Sequence, residues 1–204
     1  MDSRQRKTRA KLAAAVLALA SERSASSLTA SELAIAAGIN RSTFYQHASS
    51  PVGLLEDVLR DELDAIRDEY LGGPEASDTP EGGDATDTPD AIEQVTLAVL
   101  RHVNEHAAIY GRGLGAGSGS ASLAPMLSAQ FAATLAMLLD RHALSVPTVA
   151  DARVPAHFVP DAAARFIADG TVGTLDVWLR TPEPRDPEAF MAAYRLFLPA
   201  WWPR

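Results

Sequence analysis

Apolar residues recur along most of this chain at three- and four-residue spacings, and sustained alternation is missing. That period predicts helices, with almost no strand signal. A first helix reads over 4–22, with Leu12, Val16 and Leu19 on one face. A short second helix reads over 30–37. Thr29 and Glu32 form a T-x-x-E capping box at its start, and Gly38 supplies the left-handed residue that ends it. A third short helix reads over 40–47. Ser50 and Pro51 give a cap and a proline first residue to a fourth, which runs to about Tyr70 with Leu55, Leu59, Leu63, Ile66 and Tyr70 as its apolar stripe. Further helices read over 91–109, 123–143, 161–180 and 187–201, while 111–122 and 146–160 read as loops. The fold class expected is all-α, with about nine helices. Residues 72–90 hold six acids, no bases and many Gly and Pro, and read as a flexible acidic linker.

The informative stretch is 28–59, LTASELAIAAGINRSTFYQHASSPVGLLEDVL. Two short helices joined by a tight Gly-containing turn are the signature of a helix-turn-helix. Leu33 and Ala34 must face the core, Ala34 being small enough for close approach, and Ile39 fills the gap under the turn. The helix that follows has to present short polar groups at its N-terminal end, because that end enters the major groove. Asn40, Arg41, Ser42 and Thr43 meet that need; Phe44 turns inward, and Tyr45 and His47 can reach phosphates.

Charge strengthens this reading. The whole chain carries −8, which taken alone argues against a nucleic-acid partner. Residues 1–48, however, hold seven basic and three acidic groups, a net +4 on an otherwise acidic body. A phosphate backbone responds to the local charge it meets. The chain has no Cys, so disulfide scaffolds, thiolate metal sites and Cys nucleophiles are excluded. No apolar run is expected to reach the roughly 18 residues that span a bilayer, and the basic N-terminus lacks a signal-peptide core. A cytoplasmic location without membrane attachment is the expectation.

The motif E-L-A-x-x-A-G-I-x-x-S-T-F-Y-x-H at 32–47, followed by an apolar fourth helix, resembles the DNA-binding domain of tetracycline-repressor-type (TetR family) regulators. The likeness covers 4–66 and is most specific over 29–47. It departs at Ala48, where the family usually has an aromatic, and at Pro51, where it usually has a Lys that contacts phosphate. The resemblance implies a DNA-binding domain over 1–50 and a helical ligand-sensing and dimerisation domain over 51–204. It implies base readout by Arg41, Ser42 and Thr43, and phosphate contacts by Thr29, Tyr45 and His47. Backbone amides and Ser49 or Ser50 would replace the missing Lys, and Arg4, Arg6, Lys7 and Arg9 would clamp the adjacent backbone.

One recognition helix covers one half-site, so a homodimer on a palindromic operator of double-stranded DNA is expected. Candidate dimer residues lie on the last two helices: Phe166, Gly170 and Gly173 on one, Phe190, Tyr194, Phe197 and Trp201 on the other. In the resembling family the ligand pocket lies among the C-terminal helices. His102, His106, Tyr110, Phe131, Leu135, Met137 and Trp178 are candidate contacts here, for a mostly apolar effector with one or two polar anchors. His102 and His106 share a helix face at a spacing that could hold a metal, but no ligand triad is evident in the sequence, so no metal and no cofactor is expected. The glycines at 111–119 lack the preceding strand and the G-K-[ST] of a phosphate loop, and no nucleophile elbow is present. The chain therefore reads as a regulator and not an enzyme. Its rivals are a helical small-molecule-binding protein or enzyme with a vestigial DNA-binding head, and a nonspecific DNA coat.

Overall fold

The computed structural model describes residues 3–72, 87–115, 117–151 and 153–203. Among them nine α-helices and no strand are present. They are α1 Ser3–Glu22, α2 Ala30–Ala37, α3 Arg41–His47, α4 Pro51–Leu71, α5 Asp87–Glu105, α6 Ala107–Leu114, α7 Ala124–Asp140, α8 Phe158–Leu179 and α9 Pro187–Tyr194. The chain divides into two compact units, residues 1–62 with 106–124, and residues 63–105 with 125–204.

In the first unit, α1 packs on α2 and α6, and α2 packs on α3. Leu12 and Val16 of α1, Leu33 of α2, Phe44 of α3 and Leu59 of α4 are fully buried. The residues that α6 adds are Ile109, Tyr110 and Gly113. Burial pushes the Tyr110 hydroxyl far above its ordinary range, with the Glu62 carboxylate adding to the effect, so it remains neutral. Arg112 of α6 donates to the Ala20 carbonyl near the end of α1, satisfying one of the acceptors a helix terminus leaves open.

The second unit has its core in Ile92, Leu135, Leu138, Leu144, Ala164, Ile167 and Ala168, with Phe131, Trp201 and Trp202 packed around it. At the end of α4, Arg141 donates to the Leu71 carbonyl at 3.0 Å. At the end of α7, His142 has φ 57°, and the Ala143 N–H reaches the Leu138 carbonyl at 2.9 Å. That is a left-handed cap with a non-glycine residue in the position glycine favours.

Several boundaries differ from those the sequence suggests. The helix expected over 91–109 begins at Asp87 and breaks at His106 (φ −102°, ψ 27°), where α6 restarts. The expected loop at 111–122 opens as helix. A Cβ on Gly113 would lie 2.5 Å from the Leu123 side chain, so this glycine permits close packing and does not mark a loop. The last helix stops at Tyr194 and not at 201; Pro199 has no N–H to donate and disfavours helix in Leu198 before it. Most of the expected acidic linker, 73–86, lies outside the described residues. One segment, Gly119–Asp140, is long and apolar enough by composition to cross a membrane, with mean hydropathy 1.5, contrary to the sequence expectation. Its Leu127, Leu135 and Leu138 are buried in the second unit.

Candidate nucleic-acid interface and cavity

Local chemistry sets the turn between α2 and α3. Thr29 accepts from the Glu32 amide at 3.2 Å, while the Glu32 carboxylate accepts from the Thr29 amide at 2.9 Å and from its hydroxyl at 2.7 Å. Arg23 adds an ion pair to Glu32. The Thr29 hydroxyl, then Arg23 and the Thr29 amide, lower the Glu32 pKa to about 2. Gly38 takes the left-handed conformation (φ 62°, ψ 42°), and the Ile39 N–H returns to the Ala34 carbonyl at 2.9 Å. A residue with a Cβ would be strained at Gly38.

A prediction follows from this cap. Thr29→Ala is expected to destabilise the first unit by about 1 kcal/mol at neutral pH and to move the Glu32 titration back up toward the ordinary carboxylate range. A folded-state pKa held below the unfolded value gives stability that is present above pH 4.5 and lost as pH falls through about 2. The gap between wild type and variant in urea melts should therefore narrow with acid over that window. A gap that widens instead would contradict the assignment.

Phe44 anchors α3 with its side chain fully buried. Around it, Arg41, Ser42 and Tyr45 are exposed, and Thr43 and His47 are half-buried. Arg41 lies over the Tyr45 ring, with Cζ 5.6 Å from the centroid, and donates to the Tyr45 hydroxyl oxygen at 3.3 Å. Tyr45 also meets the Phe44 ring edge-on at 5.3 Å. The buried ring, the exposed ring and the guanidinium thus support one another, and the Tyr45 hydroxyl keeps its own proton to donate. Ser50 accepts from the Gly53 amide at 3.0 Å, capping α4 as the sequence suggests, and its O–H remains available.

Arg4, Arg6 and Lys7 lie exposed in the first turns of α1, which contain no acid. Cations there oppose the helix dipole, so helix stability does not explain the placement of Arg6 and Lys7; an anionic partner would. Thr29 fits its expected phosphate role less well. Its hydroxyl proton is committed to Glu32, and a phosphate would have to displace that bond.

In the second unit a cavity of about 110 Å³ lies between α4, α5, α7, α8 and the C-terminal segment. Its walls are largely apolar: Leu63, Ile92, Val95, Val99, Phe131, Leu135, Leu138, Ile167 and Trp202. Polar groups enter from Arg67, Thr96, Gln130, Thr134, Thr171 and Tyr194. Arg67 is paired with Asp64 and Asp68, and Gln130 also donates to Asp64. Burial raises the Tyr194 pKa, so the group is a neutral hydroxyl.

Of the expected ligand residues, Phe131 and Leu135 line this cavity. His102, His106, Tyr110, Met137 and Trp178 do not. His106 and Tyr110 belong to the first unit, and Trp178 packs its ring against Phe190 at 5.1 Å. Sequence reasoning missed Arg67, Thr96, Gln130 and Thr134, whose helical register with the apolar lining is visible but which carry no signal of a void.

The expected dimer residues separate into two groups. Phe166 and Phe197 are 76% and 69% exposed, and Gly170 and Gly173 open onto free space, where an added Cβ meets nothing within 4 Å. Phe190 and Tyr194 instead stack at 5.6 Å inside the protomer, because the inward face of α9 carries positions 190, 191 and 194. Trp201 is half-buried against the core. Phe190 and Tyr194 are therefore core residues.

No family model and no curated protein matches the chain. Solved structures do. The chain is similar to Thermus thermophilus FadR, a TetR family repressor in complex with lauroyl-CoA, at TM-score 0.57 and 16% identity over 93% of this chain and 92% of that one. It is similar to a TetR transcriptional regulator from a Rhodococcus species, at TM-score 0.57 and 20% identity over 97% and 99%. A third is RolR in complex with resorcinol, at TM-score 0.52 and 18% identity over 97% and 90%. The chain has the all-α fold of TetR-type transcriptional regulators.

Proposed function

We propose that this chain is a DNA-binding transcriptional regulator, acting as a homodimer on a palindromic operator and released from it by a small-molecule effector. The observation that carries the reading is the Arg41–Tyr45 pair, held exposed on a helix whose other side is pinned by buried Phe44. A helix-turn-helix kept only for packing has no need of a stacked guanidinium at its tip. DNA binding is assigned to 1–50 and sensing and dimerisation to 51–204. Helix α4 begins beside the recognition helix, and its Leu63 and Arg67 line the cavity, so an occupant touches the helix that leads to the DNA head. Such an effector acts by binding one separation of the two heads better than the other. Neighbours of the same fold hold lauroyl-CoA and resorcinol, which supports a ligand-responsive role.

The first test is binding of the purified protein to DNA upstream of its own coding region, with excess competitor. A specific complex of two protomers per site is expected. If random-sequence selection also yields no preferred site, the head is vestigial and the small-molecule-binding reading replaces this one.

For the dimer we propose the exposed apolar face formed by Phe166, Gly170, Gly173 and Val177 on α8 with Leu196 and Phe197 after α9. On α8 these positions share one side of the helix, and exposed apolar residues grouped in this way mark an interaction surface. Phe166→Glu is expected to raise the dimer dissociation constant by about tenfold or more, read by light scattering across a dilution series. An unchanged dimer would place the interface elsewhere.

A further inference from the structure

We propose that the cavity of the second unit recognises a compact, uncharged, hydroxyl-bearing aromatic molecule, a single-ring phenol, by accepting its hydroxyl proton. This rests on the effector reading above and names the ligand class.

Size comes first. An apolar cavity of roughly 150 Å³ holds benzene; this one measures about 110 Å³, is open to solvent on one side, and is walled in part by the rings of Phe131, Tyr194 and Trp202, so at most one ring enters it, with its substituent at the mouth.

The hydroxyls of the wall have spent their protons on the protein. Thr96 donates to the Ile92 carbonyl at 2.7 Å, Thr134 to the Gln130 carbonyl at 3.1 Å, and Thr171 to the Ile167 carbonyl at 2.7 Å. Thr171 and Tyr194 are also bonded to each other. Both contacts of Thr171 are satisfied only if Tyr194 is the donor in that pair. What Thr96, Thr134 and Tyr194 then offer a ligand is oxygen lone pairs, which a hydroxyl donor satisfies and a methyl group leaves stranded.

Charge completes the selection. Among the described residues Arg67 is the one charged residue of the lining, and its guanidinium is paired with Asp64 and Asp68. An anion entering here finds no unpaired cation and would have to displace one of these carboxylates. An ammonium would meet the guanidinium with no carboxylate in the wall. Burying either charge unpaired is unfavourable.

The test is calorimetric titration of the full-length protein, without DNA, with three probes of matched shape: 4-methylphenol, p-xylene and 4-methylbenzoate. The first is expected to bind about five- to tenfold more tightly than p-xylene and more tightly still than the benzoate. Thr134→Val and Tyr194→Phe should each bring the phenol-to-xylene ratio toward one while p-xylene affinity holds. Thr134→Val preserves volume, so it remains informative if Tyr194→Phe unfolds. Equal binding of the phenol and p-xylene, preference for the benzoate, no binding of any probe, or a ratio that neither variant moves would each overturn the proposal. None of these outcomes touches operator binding, and failure to bind DNA with phenol binding intact would sink the regulator reading alone.

Discussion

Phe44→Ala is expected to destabilise the first unit by about 3–5 kcal/mol, the usual loss for a fully buried aromatic. The ring is 0% exposed, is the one fully buried side chain of a seven-residue helix, and supports the Tyr45 ring edge-on. A helix that short has little stability of its own and is held by what it buries. Since a domain has only about 5–15 kcal/mol in total, the variant should melt far earlier and lose specific DNA binding with it. Phe44→Leu keeps most of the volume and should cost less than about 1.5 kcal/mol, with DNA recognition retained. Urea unfolding followed by far-ultraviolet circular dichroism checks both. A Phe44→Ala protein within about 1 kcal/mol of wild type would mean that α3 is held by something other than this ring.

Arg41→Ala is expected to weaken binding to the selected site by about 5- to 150-fold, the range of one bidentate base contact. Binding to random DNA and its salt dependence should change little. Arg41→Lys should recover little, because an ammonium neither forms a planar fork nor stacks as a guanidinium does over Tyr45. The contrasting pair is Arg4→Ala with Lys7→Ala. Removing two phosphate contacts should weaken binding to all sequences alike and lower the slope of log K against log salt by about two. Footprinting on the selected site and on a scrambled one, at several salt concentrations, separates the two behaviours. An Arg41→Ala variant that loses affinity equally on both sequences would make Arg41 a phosphate contact and move base readout to Ser42 and Thr43.

Where the sequence was informative, the signal was local. Thr29 and Glu32 sit three residues apart, Gly38 stands where the chain must turn left, and Ser50 precedes Pro51. Each of these builds its structure from immediate neighbours, and each is found as read. What escaped depends on partners distant in sequence. Gly111 and Gly113 read as loop, yet lie in α6, because Leu123 ten residues on needs the space beside Gly113. Phe190, Tyr194 and Phe197 share a helical period, but α9 ends between the second and the third, so two face the core and one faces out. Periodicity tells which residues turn inward. It does not tell whether they meet a side chain or a void, which is why Thr96, Thr134 and Arg67 were not singled out as cavity lining.

The cations at the start of α1 also make the protein's response to ionic strength two-sided. Without DNA, Arg6 and Lys7 repel one another and the positive end of their helix, and added salt screens that repulsion, so the first turns should tighten as salt rises. In the complex the same salt competes with these residues for phosphate and loosens the grip. A titration of free protein and complex along a single salt axis would show helix content and affinity moving in opposite directions, and a polyanion would order the first turns of α1 as it binds.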